Sequence, residues 1–220
     1  MKHRLSALLN GMEMTRSEHD WLEQRFDNMT AKEKLLFRGA VGIEHPKAVQ
    51  DAIQILQSLE HYRLLYGADD DVTLGRFVME HIHSPTPAAR AYLDPETVGA
   101  AYRESGAGCY VGEHYVERLS PDRPLPDVEP LGTQPPAGSY AIRIKLASRN
   151  NMEGVWVGFP DTAEYMDPAL PDELLLGLKA LNAETLDQCI AVDVDCALPQ
   201  ITDILTQYDS AHALVRHAID

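Results

Sequence analysis

Apolar residues recur at three- and four-residue spacing through the first hundred positions, which is the period of helices with one buried face. Ser17 is placed to cap a segment carrying Trp21, Leu22, Arg25 and Phe26. Thr30-Ala-Lys-Glu33 reads as a capping box, with the threonine hydroxyl accepting from the Glu33 amide and the glutamate reaching back to Thr30. It opens a helix with Leu36, Phe37, Ala40, Val41 and Ile43 on its apolar side. Pro46 is placed to start the next, whose stripe is Val49, Ala52, Ile53, Leu56 and Leu59. Asp69-Asp-Asp71 precedes a helix through Leu74 to Glu80, where three carboxylates suit the positive end of the dipole. Asp94-Pro95 starts a last helix through Val98, Ala101 and Tyr102, which stops at Ser105-Gly106. The stretch Gly106 to Arg118, GAGCYVGEHYVER, then combines glycines with Tyr110, Val111, Tyr115 and Val116, and reads as a glycine-bent strand pair.

Residues 119–138, LSPDRPLPDVEPLGTQPPAG, hold six prolines in twenty positions. Such a stretch forms neither a helix nor a central strand, and reads as a semi-rigid linker between domains 1–118 and 139–220. Beyond it the period changes from 3.6 to 2. Tyr140, Ile142, Ile144 and Leu146 alternate with Ala141, Arg143, Lys145 and Ala147, the pattern of a half-buried strand. Ser148 to Gly154 supplies turn residues, and Val155 to Phe159 a second strand ending at Pro160. Pro171 starts a helix with Leu174, Leu175, Leu178 and Leu181, and Ile190, Val192, Val194 and Cys196 alternate along a third strand. Pro199 begins a helix through Ile201, Ile204, Leu205 and Tyr208, and Ser210 caps another. The fold class expected is α+β: a mainly helical N-terminal domain ending in a β-hairpin, then a compact ββαβαα module.

Composition narrows the function classes. A chain of 220 residues with 45% apolar positions buries a proper core. Its apolar runs are too short to span a bilayer, and the N-terminal patch lacks the apolar length and cleavage site of a signal peptide. Three cysteines at irregular spacing fit reduced thiols in a cytoplasm. The net charge of −15 argues against direct nucleic-acid binding, which requires cations to displace counterions from phosphates. Residues 1–118 carry 13 Lys/Arg and 18 Asp/Glu, whereas residues 139–220 carry five and 13. The shorter domain therefore holds over half of the excess.

The candidate catalytic groups each meet a structural alternative. Gly106-x-Gly108-x-x-x-Gly112 does not match dinucleotide spacing, and a P-loop lysine is missing. Cys109 and His114 are a candidate nucleophile and base without a third group to orient the histidine. His81-Ile-His83 is a candidate metal site, but residues two apart on a helix face away from each other. Asp193-x-Asp195 puts two carboxylates on one face of a strand, a candidate Mg²⁺ site with no accompanying glycine loop or lysine. The expectation is a protein that is not an enzyme and carries no cofactor and no metal.

Several short motifs in the second domain resemble the repeat module of the ArdA-type antirestriction proteins, acidic DNA mimics of conjugative plasmids and transposons. They are the turn Asn150-Asn-Met-Glu-Gly154, Val155-Trp156 running to Phe159-Pro160, Asp193-Val-Asp195, and Gln207-Tyr-Asp-Ser-Ala-His-Ala-Leu214. Leu74-Gly-Arg-Phe77 and Tyr115-Val-Glu-Arg118 are similar to segments of ArdA-like proteins from Firmicutes mobile elements. The resemblance implies a decoy that occupies the DNA-recognition subunit of a type I restriction–modification enzyme. Its carriers would be surface acids of the second domain: Glu153, Asp161, Glu164, Asp167, Asp172, Glu173, Asp193, Asp195 and Asp203. A compact chain of this length spans about 45 Å, and B-DNA of that length carries about 26 phosphates. A net charge of −15 falls short of that number, so a homodimer laying two modules end to end is expected. The alternatives are a protein–protein adaptor of a conjugative element, docking through its helical domain, and a metal-dependent hydrolase using His81, His83 or the Asp193/Asp195 pair.

Overall fold

The computed structural model describes residues 5, 8, 9, 11–106, 108–131, 140–159, 172–196 and 210–219. In order the elements are α1 (Arg16–Asp27), α2 (Ala31–Glu44), α3 (Val49–Gln57), β1 (Tyr62–Leu65), α4 (Asp71–Phe77), α5 (Pro87–Arg90), α6 (Pro95–Ser105), β2 (Gly108–Val111) and β3 (His114–Arg118). There follow β4 (Ile142–Ser148), β5 (Asn151–Phe159), α7 (Asp172–Ala180), β6 (Cys189–Cys196) and α8 (Ala211–Ile219). The fold is α+β: a helical N-terminal region with a small sheet, then a second three-stranded antiparallel sheet with helices. The chain divides into two compact units, Met1–Glu23 with Leu35–Gln134, and Gln24–Lys34 with Pro135–Asp220. The short segment Gln24–Lys34 thus joins the C-terminal unit, a link that no local pattern announces.

In the first unit the expected hairpin forms, with Val111 opposite His114 and Gly112 in the turn at a φ of +63°. A strand absent from the sequence reading, β1, pairs antiparallel with β3 and makes it the centre of the sheet. Its four residues lie between helices and are buried on both faces except for Arg63, so no alternation betrays them. Helix α2 packs against β3 at Gly39, where a Cβ would come within 2.6 Å of Val116 Cγ2. Helices α4 and α6 cross at Gly75 and Gly99 with their backbones in contact. Asp70 caps α4 through the Thr73 amide at 2.7 Å, and Asp94 caps α6 through the Thr97 amide at 3.0 Å. At the start of α1 the capping hydroxyl is Thr15, not Ser17; it accepts from the Glu18 amide while Glu18 accepts from the Thr15 amide.

The second unit is a sheet of order β5-β4-β6 covered on one face by α7 and α8. Ile144, Leu146, Val155, Val157, Phe159, Leu174, Leu178, Leu214 and Val215 fill its core. The expected capping box is present, with the Glu33 amide 3.2 Å from Thr30 Oγ1 and the Thr30 amide 2.9 Å from Glu33 Oε2. Thr30 also forms a parallel bridge to Trp156 at the edge of β5. Strand β4 is central rather than half-exposed, because Arg143, Ala147 and Ser148 are buried on the face away from or beside the core. Strand β6 departs further from its pattern. Leu146 pairs with Ala191 but Lys145 with Asp193, so Val192 is an extra residue, a bulge that flips the alternation. Cys189 packs in the core before it, and Val194 and Cys196 against the core after it, while Ala191 is exposed and Ile190 and Val192 are left more than half exposed. The expected helix from Pro199, the end of the linker (132–138) and the Pro160 and Pro171 positions lie outside the described residues.

Candidate functional site

The hairpin Gly108–Arg118 was the first candidate, and its two reactive side chains are separately engaged. Cys109 Sγ donates to the Gly39 carbonyl at 3.4 Å, and burial pushes its thiol pKa up, which lowers the thiolate fraction. His114 is buried; its Nδ1 accepts from the Gly67 amide at 3.2 Å and its ring lies 4.5 Å from that of Tyr66. The glycines of the stretch serve geometry. Gly108 leaves room for the ring of Tyr115, which a Cβ would meet at 2.5 Å, and Gly112 turns the chain. The buried Tyr115 phenol is pushed up to about 12, first by burial and then by Glu117.

Around this hairpin the first unit repeats one device three times: a carboxylate shared by an arginine and a tyrosine. Asp71 receives Arg103 Nε at 2.8 Å and Nη2 at 2.9 Å, with the Tyr110 hydroxyl at 2.7 Å. Glu117 receives Arg63 Nε at 2.6 Å and the Tyr102 hydroxyl at 2.6 Å. Glu44 receives Arg118 Nη1 at 2.9 Å and the Tyr62 hydroxyl at 2.8 Å. Hydrogen bonds from Arg103 and Tyr110 hold the Asp71 carboxyl down at about 2. Burial and the partner carboxylates raise Tyr62, Tyr102 and Tyr110 above the ordinary phenol range. These triads tie β1, β2 and β3 to α2, α4 and α6. Sequence reading missed them because each carboxylate lies 15 to 74 residues from its donors.

His81 and His83 point to different neighbours, one ring 4.8 Å from Phe77 and the other 6.5 Å from Tyr102. Among the described residues no group of three or more His, Cys, Asp or Glu side chains is arranged to hold a metal ion.

The acids of the second unit fall into distinct classes. Glu153 is exposed, in the bulge where β5 leaves the turn. Asp193 and Asp195 do share the outer face of β6, and register places them opposite Lys145 and Arg143. Arg143 pairs with Asp195, donates to the Asn28 carbonyl at 3.0 Å, and stacks 4.9 Å over Trp156; Lys145 lies 5.9 Å from the same ring. The pair of carboxylates therefore faces two cations. Asp172 and Glu173 are not surface groups: both are buried, at the start of α7. Glu173 Oε1 accepts from Thr30 Oγ1 at 2.9 Å and from the Tyr140 hydroxyl, while Glu33 beside it takes Arg25 Nη2 at 2.6 Å. The dipole of α7 favours carboxylates in its first turn, and these hydroxyls make the burial of Glu173 tolerable. Asp161, Glu164, Asp167 and Asp203 lie outside the described residues.

Fold and side chains together define an α+β protein in which, among the described residues, Arg25, Arg63, Arg103, Arg118 and Arg143 are each tied to a carboxylate. Comparison with protein-family models, curated proteins and solved structures gives no match. No helix among the described residues is long and apolar enough to cross a membrane.

Proposed function

We propose that the chain is a non-enzymatic acidic inhibitor, a decoy that occupies the DNA-recognition subunit of a type I restriction–modification enzyme in the cytoplasm of a cell carrying a mobile element. The observation that carries the reading is the asymmetry of charge pairing. Arg25, Arg63, Arg103, Arg118 and Arg143 are each held by a carboxylate, so their charge is consumed within the fold. Each such pair uses one carboxylate and one cation, so the chain's excess of 34 acidic over 19 basic residues stays unneutralised. Exposed examples among the described residues are Glu96, Glu104, Asp122, Asp127, Glu153, Glu184 and Asp187. A field of this sign competes for a basic DNA-binding surface through many weak contributions and no single contact. The acidic ββαβαα reading of the second unit, and a homodimer that doubles the charge, belong to the same proposal.

Buried Asp172 and Glu173 take no part in such a surface, and Asp195 contributes less because Arg143 neutralises it. The decisive experiment is competition between this chain and a DNA duplex for the recognition subunit. Displacement is expected at about 0.05 M salt and should weaken at least about tenfold by 0.3 M. Absence of displacement at low salt overturns the proposal.

A second reading, an adaptor for a protein partner, draws on apolar exposure. Tyr92 is 92% exposed beside Leu93 in the first unit, and Met152, Ile190 and Val192 are exposed in the second. Binding to a partner that survives high salt and is lost on Tyr92→Ala favours the adaptor.

A further inference from the structure

The stretch that the sequence presents as a linker is fastened to a helix for much of its length. Residues 119–131 form no regular element, yet Gln54 and Gln57 of α3 hold them by their backbone. Gln54 Nε2 donates to the Pro126 carbonyl at 2.7 Å and reaches Leu125 O at 3.4 Å. The Gln57 amide grips Glu129 at both ends: its Nε2 donates to the carbonyl at 3.1 Å and its Oε1 accepts from the N–H at 2.9 Å. Upstream, Arg118 donates to the Arg123 carbonyl, and the Arg123 amide closes a turn on Ser120 O at 3.1 Å. Between α3 and this segment no side-chain-specific hydrogen bond is found among the described residues; the contacts are to backbone.

The chemistry of the match is periodic. Prolines 121, 124, 126 and 130 favour an extended polyproline-type chain, with three residues per turn and solvated carbonyls in need of donors. Carbonyls three residues apart, such as those of Pro126 and Glu129, then lie on one side. Gln54 and Gln57, also three apart, are neighbours on one helical face. A cleft of about 360 Å³ lies along the segment, lined by His61, Arg118 and the segment's own Ser120 and Arg123 to Asp127.

We propose that residues 119–131 are a releasable strap, and that the glutamine face of α3 is a site for an extended, proline-spaced chain which this segment occupies in cis. Recognition through backbone groups alone makes the strap exchangeable with the same segment of a second copy. The decoy reading of the preceding section is independent of it.

Hydrogen exchange of the Glu129 amide in the full chain tests the strap. Protection in the unaltered protein and acceleration of about tenfold in Gln57→Ala are expected, with the β3 amides unchanged as the control for folding. Exchange at Glu129 that is unprotected, or unaffected by Gln57→Ala, overturns it. The exchange arm uses a labelled peptide of residues 120–131 and a full-length variant with Pro124, Pro126 and Pro130 changed to glycine, which loosens the resident segment. The peptide should bind this variant several-fold more tightly than the unaltered chain, and adding Gln54→Ala and Gln57→Ala should abolish the gain. Equal binding to all three overturns the site.

Discussion

Replacing Gly75 with alanine tests how far the first unit depends on backbone contact between α4 and α6. A Cβ on Gly75 overlaps the Pro95 carbonyl oxygen outright and sits 2.7 Å from its carbon and 2.8 Å from the Gly99 nitrogen. The reciprocal position behaves alike, since a Cβ on Gly99 overlaps Asp71 O and lies 2.9 Å from the Gly75 nitrogen. Every atom in the way is backbone, so no side chain can swing aside. Ordinary carbon contacts need about 3.5 Å, so the helices must part by about 1 Å. A gap of that size forfeits up to about half of the dispersion between facing atoms, on top of overpacking strain near the upper end of about 1–3 kcal/mol. Alanine returns about 1 kcal/mol of helix propensity. The net loss is about 3 kcal/mol, read as a fall in thermal midpoint of about 10–15 °C for a unit of this size. Gly112 is the control: its φ is +63° with open space around it, so alanine there costs only about 1–2 kcal/mol of left-handed strain. The double variant Gly75→Ala with Gly99→Ala should cost much less than the sum, because one parting of the helices accommodates both methyl groups. If Gly75→Ala is no more harmful than Gly112→Ala in denaturant and thermal unfolding, the backbone-contact account fails.

Acid titration should single out Asp71. Its carboxyl is depressed to about 2 from an ordinary 3.8, so its stabilisation is complete above pH 4 and is lost as the pH falls from there towards 2. Asp71→Asn should flatten that part of the stability curve followed by circular dichroism; an unchanged acid limb contradicts the triad. In the second unit, Arg143→Ala should cost about 3 kcal/mol by denaturant midpoint, since it strips a buried cation from Asp195, the Asn28 carbonyl and Trp156. Arg143→Lys should recover less than half of the loss, having no planar fork to stack or bridge, and full recovery would refute that geometry. Cys109, half-buried and with its thiol pKa raised, should react with iodoacetamide at neutral pH about tenfold more slowly than a free thiol; mass spectrometry showing a fast Cys109 would reopen the hairpin as reactive.

What the sequence makes legible here is local. The Thr30–Glu33 box, the Asp94 cap and the Gly112 turn each follow from residues within four positions, and each is present. The three strands of the second unit are readable because their runs of apolar and β-branched residues are bounded by turn residues, although the Val192 bulge breaks the alternation along β6. What escapes is long-range. Strand β1 is defined by β3, at least fifty residues away in every pair, and the Val192 bulge by the register against Lys145 and Leu146. Asp172 and Glu173 look like surface acids in any one-dimensional reading; only Thr30 and Tyr140, 143 and 33 residues from Glu173, make the interior acceptable to that carboxylate.

The membership of Gln24–Lys34 in the C-terminal unit has a kinetic consequence. Thr30, bridged to Trp156 and bonded to Glu173, must meet residues that leave the ribosome more than a hundred positions later. Residues 35–134 form a closed excursion between the two parts of one unit. Closing a loop of that length from an unfolded chain costs about 4 kcal/mol in the logarithmic term alone. Prior folding of the excursion shortens the effective loop and removes much of that barrier. The N-terminal unit should therefore fold first during synthesis. A fragment beginning at residue 139 should remain incompletely folded until a peptide of residues 24–34 is supplied in trans.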